Sequence, residues 1–236
     1  MLTHFRGRRP AILLAFVAFP LLAACGKHEG NEAASVEHAP PDAAQQARDD
    51  AASTARCADH PLAHAMPPRD TMAGLPFRLW DCTPASFRAV YGQDGGKQVE
   101  ISITDTRPAD TGASAGAEDL NRRTRDMQRS VTRSSIEMLT RMADPMRTNA
   151  ESLGTLGGPA YAPVLVPTST SASFVIYVSA QTERGPAEAV ALFNDRQVVT
   201  LHAVEHGSAV TGLTTPQAQA LYLPFIQSFH PERLPQ

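Results

Sequence analysis

Several familiar signatures are missing from these 236 residues, and each absence removes a class of function. Beyond the first 24 residues, no hydrophobic run approaches the ~20 residues that a membrane-spanning helix needs. There is no Gly-x-Ser-x-Gly, so a hydrolase nucleophile elbow has no support. Gly154-Thr155-Leu156-Gly157-Gly158 lacks the lysine and the Ser/Thr of a phosphate-cradling P-loop, and it reads as a turn into a following strand. An excess of positive charge is also lacking. Lys and Arg number 21 against 24 Asp and Glu, a formal charge of −3, whereas coating nucleic acid rewards clustered cations. Cysteine is scarce, with three in all.

The first 25 residues carry the most information. Arg6, Arg8 and Arg9 form a positive start, and Ala11 to Ala24 is an apolar run of about 14 residues broken only by Pro20. It ends in Leu22-Ala23-Ala24-Cys25. This segment resembles the signal peptide and lipobox of bacterial lipoproteins. The resemblance implies that residues 1–24 are removed and that Cys25 is acylated, anchoring the chain in the cell envelope on the periplasmic side. Gly26, rather than Asp, follows the cysteine and implies the outer membrane. Cleavage after Ala24 without lipid is the competing reading. Losing three arginines and no acids takes Lys plus Arg from 21 to 18 against 24 acids, which leaves a formal charge of −6. With Cys25 consumed by lipid, Cys57 and Cys82 become a pair. An oxidising compartment favours their disulfide, which closes a loop of about 25 residues worth roughly 3.5 kcal/mol.

Along the chain, residues 25–73 read as the acylated cysteine and an Ala/Pro-rich linker with almost no large apolar side chains. Ala43 to Ala55 favours a transient helix with nothing to dock it. A flexible chain from Cys25 to Cys57 would have an r.m.s. span of about 31 Å and a limit near 109 Å. Residues 74–236 read as a single α+β domain. Its expected form is a mostly antiparallel sheet, with one long central helix and a C-terminal helix packed on one face.

Short mixed runs predict strands at Leu75–Trp80 and Ser86–Tyr91. Asp94-Gly95-Gly96 predicts a turn into the alternating Val99, Ile101, Ile103 strand. A long helix fits Ala117 to about Ala143, with Pro145 as its stop and Leu120, Met127, Val131, Met138 and Met142 as its buried stripe, widened by Leu139. Further strands fit Tyr161–Val166 and Ser173–Ser179. Glu188–Phe193 and Arg196–Val204 flank an Asn194-Asp195 turn. Thr215 opens a final helix to about Phe229, with Pro216 at its first position and Leu221, Phe225 and Phe229 on one face.

Few residues invite chemistry. Cys57-x-x-His60-x-x-x-His64 with Cys82 has zinc-like spacing, but a disulfide would consume both thiolates, so no metal is assigned. His202-x-x-Glu205-His206 falls on a predicted strand, where four residues separate the histidines by about 13 Å, and it reads as polar residues on the strand's exposed face and exit turn. Asp105, Glu183 and Glu205 show no spacing that predicts a catalytic carboxylate pair. No cofactor is implied. The long helix gathers Arg122, Arg123, Arg125, Arg129, Arg133 and Arg141, tempered by Asp126 and Glu137. Of these, Arg122, Arg125, Arg129 and Arg133 are the candidate partner-binding residues, set against a plainly solvated face with Glu137–Arg141 and Arg133–Glu137 pairs.

The sequence therefore points to a lipid-anchored, non-enzymatic interaction module with a protein partner in the envelope and no nucleic acid. An immunity-type inhibitor of an envelope-targeting toxin and an envelope maintenance factor both suit such a module. An envelope hydrolase acting on peptidoglycan, glycan or lipid is the competing class. Its mark would be a pocket with two titratable groups of shifted pKa.

Overall fold

A computed structural model describes residues 43–107, 115–148, 160–179 and 185–236, with the side chains of 115–117 and 144–148 outside that description. The segment that resembles a signal peptide and lipobox, residues 1–25, lies outside the described residues, as do Gly154–Gly158 and Glu183.

The domain is α+β, built on an eight-stranded antiparallel sheet. β1 (Phe77–Thr83), β2 (Ser86–Gly92) and β3 (Lys97–Asp105) form one meander. β4 (Val164–Pro167), β5 (Ser173–Val178), β6 (Ala187–Phe193) and β7 (Gln197–Glu205) form a second. The two join where β3 pairs β7 along nine residues, giving the order β1-β2-β3-β7-β6-β5-β4, with β8 (Ser208–Ala209) beside β7. The Asn194-Asp195 hairpin forms as its residues predict, both at positive φ, which matches the right-handed twist of the strands it joins.

Alternation decides the two faces. Phe87, Ala89, Tyr91, Val99, Ile101, Ile103, Leu201, Phe193, Phe174 and Ile176 project inward and are buried. Against them lies the C-terminal helix Thr215–Gln227, which buries Ala218, Tyr222, Phe225 and Ile226, with Phe229 just beyond its end. Thr214 caps it by accepting from the Gln217 N–H, and the Gln217 side chain accepts from the Thr214 N–H. Phe225 meets Tyr91 edge-on at 5.1 Å, and Phe229 meets Phe174 at 5.8 Å.

The linker expected over 25–73 is corrected from Ala43 onward. Helix α1 (Ala43–Arg56) docks on edge strand β1, and a 3-10 helix at Pro61–Ala65 sends Leu62, Ala63 and Ala65 into the core, followed by Met66. The docking is polar, which hid it from hydrophobic periodicity. Arg78 Nε donates to Asp50 at 2.8 Å, and the Trp80 N–H donates to Thr54 Oγ1 at 2.9 Å. Thr54 thereby caps an edge N–H that would otherwise lack a strand partner. Further along, the Tyr91 hydroxyl donates to the carbonyls of Pro67 and Pro68, and the Arg69 guanidinium covers the Trp80 ring. Cys57 and Cys82 sit at disulfide-bonding distance, Cα atoms 5.8 Å apart, joining the end of α1 to β1.

The long helix α2 (Ala115–Thr148) continues three residues past Pro145, the predicted stop. A proline there removes one N–H bond but still permits helical φ in the last turn. α2 packs on β4, β5 and β6, as does α3 (Thr215–Gln227), but on the other side of the sheet. Ile136 shares a cleft with Val175 and Leu192, whereas the neighbouring Phe174 meets Phe229, just past the end of α3, on the other face. No described helix is long and apolar enough to cross a membrane.

Candidate functional site

The surface of α2 is the least settled part of the fold, and it is built the wrong way round for an ordinary surface helix. Leu120, Met127, Val131, Met138 and Met142, the stripe expected to be buried, are 67, 56, 59, 48 and 41 % exposed. The side against the sheet is instead Arg125, Arg129, Thr132, Ile136, Leu139 and Ala143, all half-buried except the buried Ala143. Those positions step by four and three residues, as a packed face should. At 100° per residue this row lies about 130° around the helix from the apolar stripe.

Two features explain the rotation. Long arginine stems can cover apolar surface, so Arg125 and Arg129 serve as packing residues, half-buried against the sheet. Arg133 pairs with Asp195, the turn residue between β6 and β7, and Arg107 also approaches Asp195, at 3.6 Å. The fit is imperfect. Arg125 Nε and one terminal nitrogen of Arg129 are buried without a hydrogen-bond partner, a cost that limits how firmly the helix is held.

The four arginines proposed from sequence, Arg122, Arg125, Arg129 and Arg133, follow at steps of three and four along one side of α2, the side on which Arg125 and Arg129 are half-buried. Arg122 and Arg123 both pair with Asp119, Arg129 pairs with Asp126 at 3.1 Å, and Arg141 pairs with Glu137 at 3.3 Å. The last is the expected pair. Arg133, expected on Glu137, turns to Asp195. Much of the cationic charge is matched inside the chain, and the uncovered feature of α2 is apolar.

A second arrangement lies on the same sheet face, where cross-strand register aligns Glu100, His202, Glu188 and Tyr177 on β3, β7, β6 and β5. His202 Nε2 lies 3.3 Å from Glu100, Arg88 lies 3.5 Å from the same carboxylate, and the Tyr177 hydroxyl donates to Glu188 at 2.6 Å. The hydrogen bond with His202, ahead of the Arg88 charge, holds the Glu100 carboxyl below the usual carboxylate range. Burial, with help from Glu188, raises the Tyr177 phenol above its ordinary value, so it stays a neutral donor. The row can bind polar groups. Its pairs already satisfy one another, and sequence reading missed it because only register brings these residues together.

The other candidates disperse. His60 accepts from the Leu62 N–H through Nδ1 and so donates from Nε2 to the Thr83 carbonyl at 3.0 Å, while Cys57 faces Cys82; the zinc-like spacing is structural. His206 occupies the turn after β7, away from the strand position of His202. Asp105 is buried and takes both arms of a bidentate pair with Arg196, each at 2.8 Å. Register places it at the opposite end of the β3–β7 ladder from Glu205. Among the described residues, no cluster of His, Cys, Asp or Glu could hold a metal ion. A cleft of about 350 Å³ between α2 and β4–β6 has Arg133 and Glu137 as its titratable lining, and both are engaged in ion pairs.

No family model, curated protein or solved structure matches this chain.

Proposed function

We propose that this chain is a lipid-anchored envelope protein, held through Cys25 at the outer membrane and facing the periplasm, whose folded domain is a non-enzymatic interaction module. The observation that carries the module reading is the outward apolar stripe of α2 on an otherwise well-packed domain. Covering each of its five side chains would contribute on the order of 1 kcal/mol. A tethered inhibitor or maintenance factor would use such a surface on a protein partner.

With α1 beginning at Ala43, 17 residues lie between it and Cys25, a reach of at most about 63 Å. Two measurements test the proposal. A clickable palmitate analogue should label the chain and not Cys25→Ser; equal labelling of both rejects the lipid anchor. Capture of partners by the intact chain in the envelope should fail for Val131→Glu, and undiminished capture rejects the stripe as the binding surface.

A further inference from the structure

The stripe on α2 has a symmetry of its own. Reading outward from Val131, reversal of the helix brings Leu120 opposite Met142, Thr124 opposite Met138 and Met127 opposite Ser135. Each large side chain is thereby offered a small one, except at the ends, where leucine meets methionine, and at the centre, where valine meets itself. We infer that a second copy of this chain covers the stripe, through antiparallel packing of α2 on α2 about a two-fold axis at Val131. This deepens the module reading and rests on it.

Three observations favour that occupant. The apolar steps of seven, four, seven and four residues make an eleven-residue repeat, which keeps a straight seam narrower than the face a helix lays into a lipid surface. The stripe lies on the side of α2 away from the sheet, so a partner helix can reach it without displacing the packing of α2 on β4, β5 and β6. An isologous two-fold contact needs a self-complementary patch, which this pattern supplies.

The size of the contact sets its strength. From Leu120 to Met142 the seam is about 33 Å long, and at one helix diameter in width it covers roughly 330–400 Å² per copy. That is roughly 700–800 Å² in all, below the range of stable specific interfaces, so the pair is weak and reversible in dilute solution. Anchoring both copies on short tethers in one membrane raises their effective concentration and favours pairing there.

Variants of the full-length chain that each gain one cysteine, with Cys25, Cys57 and Cys82 kept, are made in a bacterial envelope and mildly oxidised to test the register. Val131→Cys should give a species of twice the chain's mass that reductant collapses. Met127→Cys and Ser135→Cys should give it poorly alone and well when co-expressed. Adding Val131→Glu to that co-expressed pair should cut its yield at least about tenfold. All these sites lie on the outward or half-exposed side of α2, so the fold tolerates them. Met127→Cys pairing with itself as well as Val131→Cys does would overturn the antiparallel arrangement. Absence of any chain–chain product would overturn the second copy as occupant. A photo-crosslinker at 131 that instead joins a different protein, or lipid, would overturn the pairing while leaving the interaction module standing.

Discussion

α3 and α2 lie against the same three strands from opposite sides and treat their apolar residues in opposite ways. α3 turns Tyr222, Phe225 and Ile226 into the core, while α2 turns Leu120, Met127 and Val131 out to solvent. The difference lies in what each helix finds beneath it. α3 meets the aromatic inner face, where Phe174, Phe193 and Phe229 contact one another. α2 meets an outer face of mixed polarity and is steered there by the Arg133–Asp195 pair and the stems of Arg125 and Arg129. One helix completes the domain, and the other is available to something outside it.

The largest expected effect breaks the completed side. Phe225→Ala should lower stability by about 3–5 kcal/mol, because a fully buried aromatic leaves a cavity. Val131→Ala on α2 should change it by less than about 0.5 kcal/mol. Urea unfolding of both variants measures the contrast, and similar losses would show that α2 packs through its stripe after all.

α1 provides an intermediate case, docked by polar groups and a covalent link. Replacing Cys57 and Cys82 together by serine should cost about 3.5 kcal/mol for the 25-residue separation. Thiol titration of the wild-type chain without reductant should find neither cysteine reactive.

Asp195→Ala releases Arg133 and Arg107 and should cost about 0.5–1 kcal/mol, since the pairs are partly exposed. Amide exchange resolves the effect better than a melt. α2 should exchange faster than α3 in the wild type, and faster again in this variant, with α3 unchanged.

The smallest effect concerns the polar row. A folded-state pKa held below the unfolded value contributes stability that is present above about pH 4.3 and is lost as pH falls through the lower folded value. Glu100→Gln should therefore flatten the acid limb of the stability–pH curve and leave the neutral region with a nearly unchanged slope. Denaturation midpoints between pH 3 and 7 read this directly.

How far the sequence reaches differs among these elements for physical reasons. The face of α3 was legible because its aromatic residues have one place to go, and the β6–β7 hairpin was legible because Asn194-Asp195 accepts positive φ. The position of α2 was legible too, but its rotation was not. Hydrophobic periodicity assigns Leu120 and Met127 inward, and it gives no weight to arginine stems or to an ion pair with a turn 62 residues away. α1 was missed for a related reason. Ser53, Thr54 and Asp50 dock it through hydrogen bonds to β1, and Ala and Pro around Leu62 suffice to seal the core beneath. The Glu100–His202 row emerges only from strand register, which no local pattern encodes.

The central claim is that the apolar side of α2 is covered when the protein is in place. The most direct measurement compares maleimide labelling of Val131→Cys in the intact envelope with that of the same chain purified and dilute, using Lys97→Cys as an exposed control. Labelling at 131 should be at least about tenfold slower in the envelope, with equal rates at 97. Equal rates at 131 in both settings would contradict it.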